Sequence, residues 1–284
     1  MVREFKLLNE KGQSFSLMDI KNYCLLTEPT GLGYKYSTEY EQLGNTFVDN
    51  MKKLEQGQIN ATANFSSYDN YKNFIDFIEG SEELKLAYKI PYKDSPEEFL
   101  RNINMQLISK SEIKTNGVIS EDIVIECKSL WYKENTFIYD MASQDGEMRW
   151  DFKWDSRFIS YNIRRLQYIN KGHVDAPIIL EIEGPVVDPE IELYVEGELI
   201  QTVSLDVEIE EYEKLLYGTQ ENDFYINKQN TDGSQESLFD LDIIDFSNDN
   251  VIRLPKNKSC EIRLSAENDI SNAQIKILEY YKAI

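Results

Sequence analysis

The sequence predicts a mainly β protein with a minor α component, built from two domains. The chain has 284 residues, and at roughly 150 residues per domain that length favours two domains. Most of its apolar segments alternate with polar residues at a period of two, as half-buried strands do, whereas one segment has the helical period. Hydrophobic residues make up 41% and charged residues 29% of the chain, which indicates a folded globular protein rather than a disordered one.

The first half of the chain mixes both periods. Ile59–Phe65 alternates apolar and polar residues and is predicted to be a strand. The pair Ser66 and Ser67 then offers a helix N-cap, and apolar residues at helical spacing follow over 71–78 until Gly80 ends the run. A strand is therefore expected to lead into a short amphipathic helix.

A hairpin is predicted after this helix. Ile103–Leu107 and Ile123–Cys127 both alternate apolar and polar residues, and the Asn116–Gly117 pair between them favours a tight turn. We therefore predict an N-terminal domain that is mostly β with a short helix and that ends near Trp131 and Tyr132.

The second half alternates aliphatic residues with carboxylates. Successive strand residues point to opposite faces, so the pattern places aliphatic side chains on a buried face and acids on a wet one. Antiparallel strands of this kind, joined by short turns, are typical of a β-sandwich or jelly roll. The segments concerned are Ile178–Ile182, Ile191–Val195 and Leu205–Ile209, and Ala273–Ile277 shows the same alternation with Gln274 and Lys276 on the wet face.

Charge also divides the chain into two parts. Residues 1–135 carry 16 basic and 21 acidic side chains, net −5, whereas residues 136–284 carry 14 and 30, net −16. Within the second part, residues 175–249 hold 21 acidic side chains and only two lysines, net −19. We predict domains at 1–135 and 136–284, with a short junction within 133–147.

The overall charge and the distribution of apolar residues argue against nucleic-acid binding, a secretory signal and membrane insertion. A net charge of −21 repels phosphate, so we expect no specific nucleic-acid binding. Arg3, Glu4 and Lys6 interrupt the place where a signal peptide needs an apolar run, and nowhere do about 18 apolar residues follow one another. We expect neither a cleaved secretory signal nor membrane insertion.

Motifs for catalysis are missing from the sequence. It has no phosphate-binding loop, and Gly31–Gly33 is too short for a dinucleotide fingerprint. The single histidine, His173, lies in a polar turn, where a solvated side chain is the ordinary interpretation. Cys24, Cys127 and Cys260 are far apart and suggest reduced, buried thiols. We predict a protein that is not an enzyme and uses no cofactor.

One acidic cluster is a calcium candidate. Asp240, Asp242, Asp245 and Asp249 supply hard oxygen ligands at short spacing. The cluster lacks the glycine and the terminal glutamate of an EF-hand, and apolar residues alternate through it. The wet face of a strand is the other interpretation, and no metal site is assigned.

Aromatic residues concentrate near the predicted domain junction. Trp131, Tyr132, Trp150 and Trp154 are candidates for a junction or an interface. Such side chains stack on sugars or anchor protein interfaces, and packing between the two domains is the alternative.

Short segments follow one another in a characteristic order over nearly the whole chain. In the first half they are Phe5–Asn9, Pro29–Gly33, Ile59–Ile78, Ile108–Ile113 and Ser129–Tyr132. In the second half they are Gly172–Pro177, Ile182–Pro185, Pro189, Leu254–Lys256 and a closing amphipathic strand. This order and spacing resemble the siphovirus-type distal tail proteins of phages.

The resemblance implies a structural component of the phage tail tip, made in the host bacterial cytoplasm and carried in the virion. It implies an N-terminal β-rich domain that forms a homohexameric ring, or a double ring, and a galectin-like C-terminal β-sandwich that projects outward. The implied partners are the tail tube protein, the tail-associated hub or lysin protein and, in some relatives, a receptor-binding protein. The family has no catalytic residues to transfer to this chain.

Other functions and two further expectations stay open at the level of sequence. A carbohydrate-binding β-sandwich for host cell-wall sugars is the main alternative, and a glycosidase is a second one, since any two of the 51 acids could be paired. A tube that passes DNA needs a neutral or acidic wall, which net −5 on residues 1–135 permits. The acidity of residues 136–284 is expected to meet a basic patch on a docking protein or to gather calcium.

Overall fold

The computed structural model describes residues 4–90, 97–114, 117–140, 164–221, 223–239, 251–268 and 270–284. Over these ranges the chain is antiparallel β-structure with a single α-helix, which confirms the prediction of a mainly β protein with minor α. Two compact units divide the chain: residues 1–133 with 281–284, and residues 134–280. No helix in the described ranges has the length and apolar character needed to cross a membrane.

The first unit is built around one antiparallel sheet. Its strands are β1 (Glu4–Asn9), β2 (Ser14–Ser16), β3 (Leu25–Thr30), β4 (Tyr36–Leu43), β5 (Thr46–Leu54), β6 (Gln58–Phe65), β7 (Leu84–Ile90), β8 (Glu97–Lys114), β9 (Val118–Cys127) and the start of β10 (Trp131–Asp140). The order across the sheet is β2-β1-β7-β8-β9-β6-β3. Strands β4 and β5 stand apart as a two-stranded sheet of their own.

The single helix forms where the sequence predicts it. Helix α1 spans Tyr68–Glu79, with Ser67 as N-cap and Gly80 as C-cap. The Ser67 hydroxyl accepts a hydrogen bond from the Asn70 amide, which satisfies one of the otherwise unpaired donors of the first turn. Phe74 is fully buried and meets Phe65 of β6 at a ring-centroid distance of 5.1 Å, so the helix covers the apolar face of the sheet.

The second unit is a β-sandwich. One sheet has the order β19-β18-β17-β12-β22 and the other the order β11-β21-β14-β15. Their inward aliphatic residues form one continuous buried cluster, as the alternating pattern predicts. The strands are β11 (Arg164–Ile169), β12 (Ala176–Glu183), β13 (Val186–Val187), β14 (Glu190–Val195), β15 (Glu198–Ser204), β16 (Glu208–Ile209), β17 (Lys214–Gln220), β18 (Asp223–Gln229), β19 (Gln235–Ser237), β20 (Arg253–Leu254), β21 (Ser259–Ser265) and β22 (Asn272–Tyr281).

One predicted strand is shorter than its pattern indicates. The alternation over Leu205–Ile209 predicts a continuous strand, but only β16, Glu208–Ile209, is in a strand, paired with β13. Leu205 and Ile209 are both buried. Alternation here reflects which side chains are buried along an irregular connection, and a two-residue period does not by itself require a long ladder of hydrogen bonds.

A candidate assembly surface on the first unit

Strands β4 and β5 form an arm, Tyr36–Leu54, that pairs only with itself among the described residues. The two strands meet in register from Tyr36 opposite Leu54 to Leu43 opposite Thr46. Gly44 and Asn45 form the two-residue turn, and Gly44 takes a φ of 64°, which glycine adopts without strain. The sequence analysis did not predict this arm, although Gly-Asn is a hairpin-turn pair.

The arm exposes large apolar side chains on both of its faces. Residues directly opposite each other share a face, and faces alternate along each strand. By this register Tyr40 and Phe47 lie on one face, with 63% and 68% of their surfaces exposed. Leu43, Val48 and Met51 lie on the other, between 47% and 58% exposed. Among the described residues of the first unit, no part of the buried core covers either face.

This exposure is costly for an isolated hairpin. Two strands alone are at best marginally stable in water, because they bury too little apolar surface to offset the loss of chain entropy. Contiguous exposed apolar groups on a folded domain mark sites of association. The arm therefore has the exposed apolar composition of a surface that another molecule covers.

The base of the arm, in contrast, is fixed to the first unit. Gly31 has a φ of 85°, and a Cβ there would lie 1.9 Å from the carbonyl oxygen of Gln58, so only glycine fits. The indole Nε1–H of Trp131 donates to the Leu32 carbonyl oxygen at 3.3 Å. Lys282 Nζ donates to the Tyr36 hydroxyl at 2.7 Å. The chain thus leaves the core along a defined path, and Gly31–Gly33 forms part of that path.

Two of the predicted aromatic candidates lie inside the first unit. Trp131 is fully buried, and its ring is 6.0 Å from Tyr88 and 5.2 Å from the Arg101 guanidinium carbon. Arg101 Nε donates to the Ser129 carbonyl oxygen at 2.7 Å, and burial lowers the pKa of Arg101 below its ordinary value. Tyr132 donates its hydroxyl hydrogen to Asn102 Oδ1 at 2.9 Å. Trp150 and Trp154 lie outside the described residues.

A second surface of the first unit is polar but has little charge. The outward side chains of β3, β6, β9 and β8 are mainly Thr, Asn, Ser and Gln, held by hydrogen bonds between neighbouring strands. Thr62 donates to Asp122 at 3.0 Å, and Gln106 donates to Glu126 at 2.9 Å. The described charged side chains on these rows are Glu98, Asp122 and Glu126, and Glu28 is exposed at the irregular point of β3. Glu98 is paired with Lys6 of β1 at 2.7 Å. This face is therefore neutral to acidic.

The other candidates from the sequence are the three cysteines, the single histidine and the acidic cluster. Cys24, Cys127 and Cys260 are buried and unpaired, and burial raises the pKa of the Cys24 thiol to about 12, so it stays protonated. His173 is exposed in its loop, where its backbone amide donates to the Tyr280 carbonyl oxygen at 2.7 Å. In the described part of the chain no three His, Cys, Asp or Glu side chains are placed to hold a metal ion. Asp240, Asp242, Asp245 and Asp249 lie outside that part.

Comparison with known proteins finds one family model that matches the first part of the chain and solved phage structures that share its fold. Residues 4–128 match the family model of the distal tail protein N-terminal domain. A chain of the phage P2 baseplate in its activated conformation with Ca is similar over 100% of both chains, with 16% identity and a TM-score of 0.67. The Dit protein of phage SPP1, described as a paradigm of the hub adsorption apparatus in phages that infect Gram-positive bacteria, is similar over 97% of this chain and 98% of its own.

The SPP1 similarity has a TM-score of 0.57 at 11% identity, so it shows a shared fold and no more. A sequence search of curated proteins finds no match. The N-terminal match and the fold shared along the whole chain agree with the order of segments noted in the sequence. Residues 4–128 are therefore a distal tail protein N-terminal domain, and the chain as a whole shares the fold of the phage P2 and SPP1 proteins.

Proposed function

We propose that this protein is a structural, non-enzymatic component of the phage tail tip, carried in the virion. Its first units assemble into a homohexameric ring, single or double, that continues the tail tube. One side of the ring binds the last ring of the tail tube protein, and the other binds the tail-associated hub or lysin protein. The second unit docks a receptor-binding protein.

The observation that carries this proposal is the exposed arm. Nine residues of β5 extend about 30 Å, and two strands are about 10 Å wide, so the two faces offer roughly 600 Å². A stable protein interface takes about 800 Å² from each partner. The arm therefore supplies most of one such interface. In a ring every protomer both gives an arm and receives one, which leaves no arm uncovered.

Charge supports a second copy of the chain as the molecule that covers the arm. The chain as a whole carries −21, so two copies repel each other over most of their surfaces. The arm, Tyr36–Leu54, has three acidic and two basic residues, and 2 − 3 gives a net charge of −1. Contact through this nearly neutral apolar segment brings two copies together with the least repulsion.

The polar face on β3, β6, β9 and β8 suits the wall of a DNA channel. DNA binds proteins mainly through Lys and Arg contacts to its phosphates. A wall of Asn, Thr, Ser and Gln with Asp122 and Glu126 offers no such contacts in its described part, so DNA would pass without being held. This feature supports the tube role but does not depend on which residues join the protomers.

The acidity of the second half supports docking of a basic partner. Residues 136–284 carry net −16, and charge complementarity raises association rates and selects partners of opposite sign. Binding of such a partner should weaken as salt rises, because ions screen exposed charges. Binding that is unchanged between low and high salt would contradict this part of the proposal.

The assembly is tested by light scattering coupled to size exclusion, with the protein alone and mixed with purified tail tube protein. We expect a species of six or twelve times 33.2 kDa. The double variant Phe47→Ser and Met51→Ser removes one apolar anchor from each arm face and should leave a folded monomer. The control Tyr212→Ser changes a side chain that is 78% exposed on the second unit and should assemble normally. A monomer under both conditions, or normal assembly of the arm variant, would overturn the proposal.

A further inference from the structure

The outward face of the sheet β11-β21-β14-β15 carries an ordered group of charged and aromatic side chains. In one row across the strands, Arg165 lies opposite Arg263, which lies opposite Glu192. In the next row Glu261 lies opposite Tyr194. These residues alternate with the buried aliphatic residues of the sandwich core, so they form the wet face of the same strands.

Arg263 is held in place from two sides. Its guanidinium carbon lies 3.8 Å from the centroid of the Tyr194 ring, and its Nε donates a hydrogen bond to Glu261. The Tyr194 hydroxyl in turn donates to Glu192 Oε2 at 3.2 Å. The side chains of Arg263 and Glu261 are only 25% and 20% exposed. The group is therefore fixed before any ligand arrives, which lowers the entropy cost of binding.

Neighbouring hydrogen-bond donors and acceptors of this group have no partner among the described residues. In the described part of the chain the two terminal nitrogens of Arg263 have no hydrogen-bond acceptor. Within the same part, the second carboxylate oxygen of Glu192 has no hydrogen-bond donor. A ligand that both accepts and donates hydrogen bonds at neighbouring atoms would satisfy both, and a pair of adjacent hydroxyl groups does so.

The charges and the area of this sheet face further restrict the class of ligand that it can bind. Two arginines and the carboxylates of Glu190, Glu192 and Glu261 are interspersed, so neither an anion nor a cation is favoured over the whole face. Four strands about 4.8 Å apart and about 20 Å long present roughly 400 Å². That is about half of the 800 Å² per partner that a stable protein interface needs. A small neutral ligand therefore fits this face better than a protein surface.

Apolar side chains lie at both edges of the same sheet. Ile169 on β11 is 54% exposed, and Leu199 and Ile200 on β15 are 49% and 60% exposed. We propose that this face binds a neutral oligosaccharide, with adjacent ring hydroxyls on Arg263 and Glu192 and with C–H groups on the flanking aliphatic side chains. The site is independent of the arm, so its failure would leave the proposed ring assembly untouched.

The site is tested by saturation-transfer NMR and titration calorimetry on the full chain. The probes are maltotriose, lactose and the trimer of N-acetylglucosamine, with oligomeric glycerol phosphate as an anionic contrast. We expect at least one neutral probe to bind with a Kd on the order of 1 mM, as is usual for a shallow site of few contacts. Arg263→Gln and, as a second variant that keeps side-chain size, Glu192→Gln should each weaken binding by about tenfold or more.

Lys214→Gln is the matched control, because Lys214 also pairs with carboxylates, Glu181 and Glu183, but on the outward face of the other sheet. It should bind as the wild type does. The proposal is overturned if no neutral probe binds at about 10 mM, if both variants bind normally, or if only glycerol phosphate binds. Capture of a protein adhesin through this face without sugar binding would overturn it as well.

Discussion

Two hairpins in this protein have similar local construction and opposite surroundings. The arm, β4–β5, and the hairpin β14–β15 each pair strands of six to nine residues around a turn that contains a glycine at positive φ. In β14–β15 the side chains of Ile191, Leu193 and Val203 are at most 2% exposed. In the arm the apolar side chains are mostly exposed. The difference shows that hairpin geometry follows from local sequence, whereas hairpin stability depends on what covers its faces.

The largest expected difference between the two hairpins is the loss of stability when an apolar side chain is removed. Leu193→Ala leaves a cavity in the sandwich and is expected to lower the free energy of unfolding by about 2–5 kcal/mol. Phe47→Ala removes an exposed side chain and should change the unfolding of the monomer by less than about 0.5 kcal/mol. Urea denaturation of monomeric samples followed by far-UV circular dichroism measures both. Equal effects would mean that the arm is packed in the monomer.

The base of the arm offers a second comparison, between two neighbouring glycines. Gly31 has a left-handed backbone conformation, which alanine adopts only with strain. An alanine Cβ would also lie 1.9 Å from a backbone oxygen, so Gly31→Ala must shift the backbone. We expect a loss of at least about 1–2 kcal/mol of stability. Gly33→Ala meets no atom within 4 Å and should be nearly neutral. Thermal unfolding of the two variants checks this, and a neutral Gly31→Ala would show that the base is loosely held.

The glycines in the turns of the two hairpins are a more closely matched pair of positions for substitution. Gly44 and Gly197 have φ of 64° and 92°, and in both cases a Cβ would meet no atom within 4 Å. Alanine at either site costs about 1 kcal/mol of local strain. Gly197→Ala should lower global stability by that amount, because its hairpin unfolds with the sandwich. Gly44→Ala should leave global unfolding unchanged and weaken assembly instead, which denaturation and light scattering measure separately.

The smallest expected effect concerns pH and the second unit. Lys228 Nζ lies 2.7 Å from Glu213 Oε2, and this hydrogen bond holds the pKa of Glu213 below its usual value of 4.5. A lowered folded-state pKa stabilises the protein above the unfolded-state value and loses that effect as the pH falls through the folded-state value. Glu213→Gln should therefore be destabilising at pH 7 and neutral well below pH 4.5. A deficit that persists in acid would exclude the ion pair as its cause.

The sequence predicts those elements whose pattern and burial agree. Ser67 and Gly80 bound the helix as predicted, because capping is local chemistry. Ile178–Ile182 and Ile191–Val195 are strands with their aliphatic side chains inside, because alternation and core burial coincide there. The arm escaped prediction because its apolar residues lie on both faces, so no alternation marks them. Only the turn pair Gly44 and Asn45 signalled it.

The candidate surfaces were harder to predict than the fold. Trp131 was selected for its aromatic character, but its hydrogen bond to Leu32, at the base of the arm, joins residues 99 positions apart in the chain. Likewise Arg263 meets Tyr194 only through the pairing of β14 with β21. Contacts of this kind depend on which distant segments pair and in which register, and the amino-acid composition does not reveal that register.

Hydrogen–deuterium exchange of the arm, compared between the isolated protomer and the assembled ring, tests the central claim most directly. We expect the amides of β4 and β5 to exchange quickly in the protomer and at least about tenfold more slowly in the assembly, because a partner then covers both faces. The amides of β14 should be protected in both states. Arm amides that exchange at the same rate in both states would contradict the claim that the arm joins one copy of this protein to the next.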